Sequence, residues 1–175
     1  MGKTYMSDRI ATLIEGRRER MSRLLGRPLA QPEAAASPLS PEARKHLLDD
    51  AVDLYWNELE WEHLTEEEAV DQGEPLIELM FPGLLAFVRG LLLTRVNPDA
   101  LAPAAPRPVV VEDFLAFLGG RVMELHDELS EAQGEDRVRL EGELKMTNRL
   151  VDLVLYQFHG LTPGDIHLLE TSGTG

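Results

Sequence analysis

Apolar positions recur at three- and four-residue intervals along most of this chain, the spacing that gathers side chains on one face of an α-helix. Ile10, Leu13, Ile14, Met21, Leu24 and Leu25 trace the first such face, and Ser7 stands where an N-cap is wanted, so a helix is predicted up to Leu25. A second helix opens at Ser40-Pro41, a cap residue followed by proline at the first helical position, and should continue to His63. Thr65 and Glu68 have the spacing of a capping box and predict a fresh start, with a short helix stopping near Gly73. The most apolar helix is expected from Pro75, bent or broken at Pro82, because a mid-helix proline removes one backbone hydrogen bond and collides with the preceding turn.

The pattern then predicts a helix from Val109 to Gln133 and, beyond Gly134, another to His159 with Gly160 as its cap. Leu118, Val122, Leu125, Leu129 and Ala132 on the first should face Leu140, Leu144, Thr147, Val151, Val154 and Phe158 on the second. Those alternating intervals describe a coiled-coil-like antiparallel hairpin over 109–160. Thr162-Pro163 starts a last short helix ending near Glu170, and 171–175 reads as a tail. The expected fold is all-α: an antiparallel helical bundle over 41–170 with this hairpin at its C-terminal end. Residues 26–40 are rich in Pro, Ala and Ser without periodicity, a linker that leaves 1–25 as a helical arm able to move by itself. Pro98, Pro103, Pro106 and Pro108 mark a second irregular stretch as a surface loop.

Charge changes this picture more than composition does. The net charge is −14. Lys3, Arg9, Arg17, Arg18, Arg20, Arg23 and Arg27 outnumber Asp8, Glu15 and Glu19 by four in the first 27 residues, so the remaining chain carries −18. Such a body repels phosphate backbones, and nucleic acid could be met only by the arm, through Arg17, Arg18, Arg20 and Arg23. The competing reading docks those arginines on acidic protein, the chain's own or a partner's. There is no cysteine, which excludes disulfides and thiolate zinc sites and agrees with a reducing, cytoplasmic setting. The N-terminus lacks a secretory apolar region. The apolar run from Leu76 to Leu93 is interrupted by Glu78, Arg89 and Pro82-Gly83, so a buried helix is expected there and not a membrane span.

Candidate chemistry is sparse, and no cofactor-binding motif is read. On the helix after Pro41, Glu58 and Glu62 fall inside the apolar arc at 100° per residue, and a desolvated carboxylate needs a partner or a proton. One reading makes Glu58, Glu62 and His63 the centre of a carboxylate-dependent metalloenzyme, since Glu60 and His63 have the spacing used by dinuclear carboxylate bundles. The plainer reading pairs Glu58 or Glu62 with Arg89, Arg121 or Arg149. Asn148, Asp152, Tyr156 and His159 follow at 4-4-3 spacing as a polar stripe, expected to be a hydrogen-bonded strip at an interface. An exposed apolar patch around Phe81, Leu84, Phe87 and Leu91, with Tyr156 and His159, is the expected partner interface.

The sequence Asp152-Leu-Val-Leu-Tyr-Gln-Phe-His-Gly-Leu-Thr-Pro-Gly-Asp-Ile166, within the helical stretch from Met123 to Glu170, resembles the C-terminal tail of adenine-specific DNA methyltransferases and fused restriction–modification enzymes. In that family the chemistry lies in an upstream domain with a glycine-rich cofactor turn and a loop that holds the flipped base. The nearest text here, Asn97-Pro98-Asp99-Ala100, reads as a loop. The resemblance therefore implies a DNA-modification or phage-defence context without the activity. The expected function is a noncatalytic adaptor for a larger methyltransferase, nuclease or helicase, or for a second copy. The alternatives are the metalloenzyme above and an acidic DNA mimic that occupies a nuclease groove.

Overall fold

The computed structural model describes residues 2–32, 39–72, 81–92 and 107–172, with side chains over 8–32, 39–59, 81–92 and 107–171. The described residues form helices α1 (Gly2–Leu25), α2 (Pro41–Gln72), α3 (Pro82–Leu92), α4 (Pro108–Glu131), α5 (Gly134–Phe158) and α6 (Pro163–Ser172), and no strand. The all-α expectation holds at that level.

Prolines and glycines set most of the boundaries. Pro41, Pro82, Pro108 and Pro163 each open a helix, where a missing N–H costs nothing because the first-turn donors have no helical partner. Pro82 is therefore a beginning and not a kink; the expected start at Pro75 lies outside the described residues. Ser40 caps α2, its hydroxyl accepting from Ala43 N–H at 3.2 Å. Thr162 and Asp165 exchange side-chain and backbone hydrogen bonds of 3.1 Å each, a reciprocal cap for α6. At the end of α5, Gly160 takes φ +60 and Leu161 N–H reaches back to the Tyr156 carbonyl at 2.9 Å, which satisfies a terminal acceptor in the left-handed geometry that glycine alone adopts freely.

Two boundary signals fail: Ser7 lies inside α1, which begins at Gly2, and Thr65 opens no new helix. The helix from Pro41 runs through Thr65 to Gln72 without a second start. No Gly or Pro interrupts 42–72, and its residues are mostly good helix formers, so propagation outweighs a local cap that would break the backbone ladder.

The core gathers around α4, which packs on α1, α2, α3 and α5. Phe114, Leu115 and Leu118 of α4 meet Met146, Leu150, Val154 and Leu155 of α5, Tyr55 and Ala51 of α2, and Leu84 and Val88 of α3 in one buried cluster. The expected seam residues Leu118, Val122, Leu125, Leu140, Thr147, Val151, Val154 and Phe158 are buried, while Leu129, Ala132 and Leu144 are half-buried. Val110, Val111, Leu115, Met123, Met146, Leu150 and Leu153 are buried as well, a face far wider than a two-in-seven stripe, because other helices flank the pair.

The first helix corrects the expectation of a free arm. Ile14 and Met21 are buried in the common core, and Ile10 approaches α4 so closely at Gly119 that a Cβ there would lie 2.9 Å from Ile10 Cγ2. α1 is a member of the bundle, because its apolar stripe has a face to bury against and two small residues, Gly119 and Gly120, to approach. Of the linker, 33–38 lie outside the described residues, but Leu29 packs on the core. No described helix is long and apolar enough to cross a membrane.

Candidate functional site

The polar stripe of α5 lies beneath α1 and α6, and its side chains are engaged by theirs. Arg17 donates to Asp152 Oδ1 at 2.9 Å, to the Asn148 carbonyl at 3.0 Å and to the Asn148 side-chain oxygen. These contacts satisfy a guanidinium whose side chain is mostly withdrawn from water. Burial pushes the Asp152 carboxyl above its ordinary value, and Arg17 offsets only part of that. One turn on, Tyr156 donates to Glu170 of α6 at 3.3 Å, and Arg149 pairs with the same carboxylate. Burial first, and then the nearby Asp152 and Glu170 carboxylates, raises the Tyr156 phenol far above its usual range.

His159 ends the stripe and is 2% exposed. Its Nδ1 lies 2.7 Å from the Ala30 carbonyl and its Nε2 lies 3.0 Å from Arg18 Nε. Arginine only donates and a carbonyl only accepts, so this pair of contacts requires a neutral ring with the proton on Nδ1. Burial lowers the His159 pKa, against the bond that Nδ1–H donates to the Ala30 carbonyl, which raises it. Arg18 in turn pairs with Glu15 and, at 2.8 Å, with Glu112 of α4, and its guanidinium sits 5.2 Å from the Phe158 ring centroid.

A second polar group interrupts the core between α2, α4 and α5. The fully buried Tyr55 hydroxyl bonds Thr147 Oγ1 at 2.7 Å. Arg121 pairs with Glu143 at 3.1 Å and Glu124 at 3.2 Å and stacks 5.0 Å from the Trp56 ring centroid. Trp56 is 43% exposed and forms an aromatic edge to this cluster at the surface.

Glu58 finds a partner different in kind from the expected arginines. Its two carboxylate oxygens accept from Gly83 N–H at 2.6 Å and Leu84 N–H at 2.7 Å. The residue before α3, Phe81, has no acceptor side chain and holds φ +53, so a carboxylate from α2 caps the helix in its place. For Glu58 the pairing with Arg89, Arg121 or Arg149 is corrected accordingly: those first-turn N–H groups present a fixed positive end, and Arg121 and Arg149 are engaged elsewhere. Glu62 and His63 lie outside the residues whose side chains are described. Among described residues no cluster of three or more His, Asp or Glu is placed to hold a metal.

The expected exposed apolar patch is also corrected. Phe81 and Leu84 are 0% exposed, Leu91 is buried, and Phe87 is half-buried, because α3 is covered by α2, α4 and α5. Tyr156 and His159 are buried beneath the chain's own helices. Of the four arginines considered for nucleic acid, Arg17 and Arg18 point into the bundle, while Arg20 and Arg23 are exposed. The 4-4-3 spacing found the seam. The stripe's partner Glu170, and Glu112 beyond Arg18, were missed because neither breaks the pattern of its own helix. Thr147, the one polar residue at a seam position, was the available sign that Tyr55 had a buried partner.

No family model matches the chain, and no curated protein or solved structure matches it.

Proposed function

We propose that this chain is a noncatalytic accessory or adaptor subunit of a bacterial DNA-modification or phage-defence system, cytoplasmic, and binding a larger methyltransferase, nuclease or helicase. The supporting observation is the state of the segment that carries the resemblance. Asp152, Tyr156 and His159 are each held by the chain's own Arg17, Glu170, Arg18 or Ala30, so the stripe acts as scaffold. In this reading α4 and α5 form the antiparallel, coiled-coil-like hairpin of such tails, with α1 and α6 completing it. The inward turn of Arg17 and Arg18 favours the acidic-protein reading of the basic helix over a DNA contact. The capping role of Glu58 weighs against the metalloenzyme reading.

The test is affinity capture of the tagged protein from its host at moderate salt, with identification of retained proteins by mass spectrometry. Recovery of a methyltransferase, nuclease or helicase supports the adaptor reading. Recovery of the chain alone, as a homo-oligomer, counts against it. Stoichiometric iron, manganese or zinc in the purified protein would replace it with the metalloenzyme.

A further inference from the structure

The His159 contacts are of opposite hydrogen-bonding sense, and this gives them different fates in acid. The bond to the Ala30 carbonyl at 2.7 Å needs a proton on Nδ1, and it survives when the ring becomes cationic. The bond from Arg18 Nε at 3.0 Å needs a lone pair on Nε2, and it cannot survive. A protonated Nε2 would place an N–H against an N–H and two cations in contact within a site that is 2% exposed.

The surroundings decide which element yields. From α1, the ring is met by Arg18, with Glu15 behind it; from α4, Glu112 reaches the same guanidinium. The segment after α1 contributes the Ala30 carbonyl, and Arg27 of that segment is tied to Asp165 of α6 at 2.6 Å. Phe158 packs edge-on at 4.9 Å between ring centroids and brings no charge. Both carboxylates already belong to Arg18, and neither makes a hydrogen bond to the imidazole. The 26–32 segment keeps its bond, so the strain falls on Arg18 and through it on α1.

We propose that His159 is a pH-sensitive latch for α1: the neutral ring holds Arg18 and seats the helix, and the protonated ring releases Arg18 and loosens α1 from α4 and α5. This inference does not depend on the adaptor reading. The direction of the linkage follows from burial, which holds the His159 pKa below its ordinary value. The seated state then binds fewer protons than the released one, so the latch is closed above about pH 6.5 and weakens as pH falls below it. Asp152, which holds Arg17, and Glu112, which holds Arg18, are further titratable groups gripping α1, and the His159→Gln variant leaves both in place.

The experiment uses the full chain and two readouts. Long-range nitrogen–proton spectra of the His159 ring give its tautomer and its titration. Amide hydrogen exchange of α1, corrected for intrinsic rates, gives the seating of the helix between pH 7.5 and 5.5. The expected ring state at pH 7.5 is the Nδ1–H tautomer, and α1 protection should fall by up to about tenfold at pH 5.5, the limit for one group one pH unit below its free value. The variant His159→Gln offers a donor and an acceptor but does not titrate, and its α1 protection should change less than about twofold over the same range. An Nε2–H tautomer at pH 7.5, or an equal loss of protection in the Gln variant, overturns the proposal. Should the Gln variant fail to fold, the wild type still decides: loss of α1 protection must share its midpoint with the His159 ring, and different midpoints overturn the latch.

Discussion

Gly83→Ala is a one-methyl change at an exposed position near the start of α3, where alanine would ordinarily stabilise a helix by about 0.5–1 kcal/mol. Here the opposite is expected. A Cβ on residue 83 would lie 2.6 Å from Glu58 Oε1 and 3.4 Å from its Cδ, inside van der Waals contact. The carboxylate must retreat by several tenths of an ångström, and its bonds to Gly83 and Leu84 N–H, at 2.6 and 2.7 Å, lengthen or break. Loss of a capping acceptor costs about 0.5–2 kcal/mol, so the net effect of Gly83→Ala should be a loss of about 1 kcal/mol. Glu58→Ala removes the cap directly and should cost about 1–2 kcal/mol. In that background the new methyl meets nothing, and Gly83→Ala should turn neutral or stabilising. The assay is urea unfolding of the wild type, both single variants and the double variant, read as a double-mutant cycle. The expected coupling is about 1–2 kcal/mol in favour of the double variant. Additive effects, within about 0.3 kcal/mol, would refute the claim that Glu58 caps α3 at a distance that only glycine permits.

Tyr55→Phe should cost about 1–2 kcal/mol by leaving the Thr147 hydroxyl buried without its 2.7 Å partner, and adding Thr147→Val should recover part of that loss in the same unfolding assay; a double variant as unstable as the sum of the singles would refute the pairing. Burial holds the Asp152 carboxyl above its ordinary value, so the folded chain binds that proton more tightly than the unfolded chain. The resulting cost is present above the folded pKa and disappears as pH falls toward about 4. Asp152→Asn should therefore compare more favourably with the wild type at pH 7 than at pH 4, and an unchanged or reversed difference between urea curves at the two pH values would contradict it. Gly119→Val forces α1 outward at Ile10, and trypsin should cut after the exposed Arg20 and Arg23 several-fold faster than in the wild type while α4 and α5 stay protected; an unchanged rate would show that α1 is not seated there.

The helices were legible where their own residues set the limits. Ser40-Pro41, Gly134, Gly160 and Thr162-Pro163 act within a turn or two of where they stand, and each boundary lies close to its signal. Tertiary choices were not written locally. The sequence shows Glu58 in an apolar arc, but its partner is the backbone of a helix that begins 24 residues later, a donor that no side-chain inventory contains. Likewise α1 looks detachable because proline and alanine follow it; its seating depends on Gly119 and Gly120, whose smallness acquires meaning only beside Ile10. The stripe on α5 was read correctly as a bonded strip, whereas the exposed patch on α3 was not, because that helix is nearly apolar all round and such a helix belongs inside.

Two of the inner arginines turn their carboxylate partners toward solvent, whereas the pairs of Arg27, Arg44 and Arg139 run the other way. The side chains of Arg18 and Arg121 are withdrawn to 15% and 11% exposure, while Glu112, Glu124 and Glu128 that they hold remain 45–61% exposed. At these two arginines the cation lies within and its anions lie without. They add outward carboxylates to a molecule whose net charge is already −14. Copies of such a particle hold one another off until salt shortens the field to about 8 Å, and a positively charged surface is drawn in before any contact forms. Its internal arginines thereby help to decide what approaches the protein, although most of their charge never meets water.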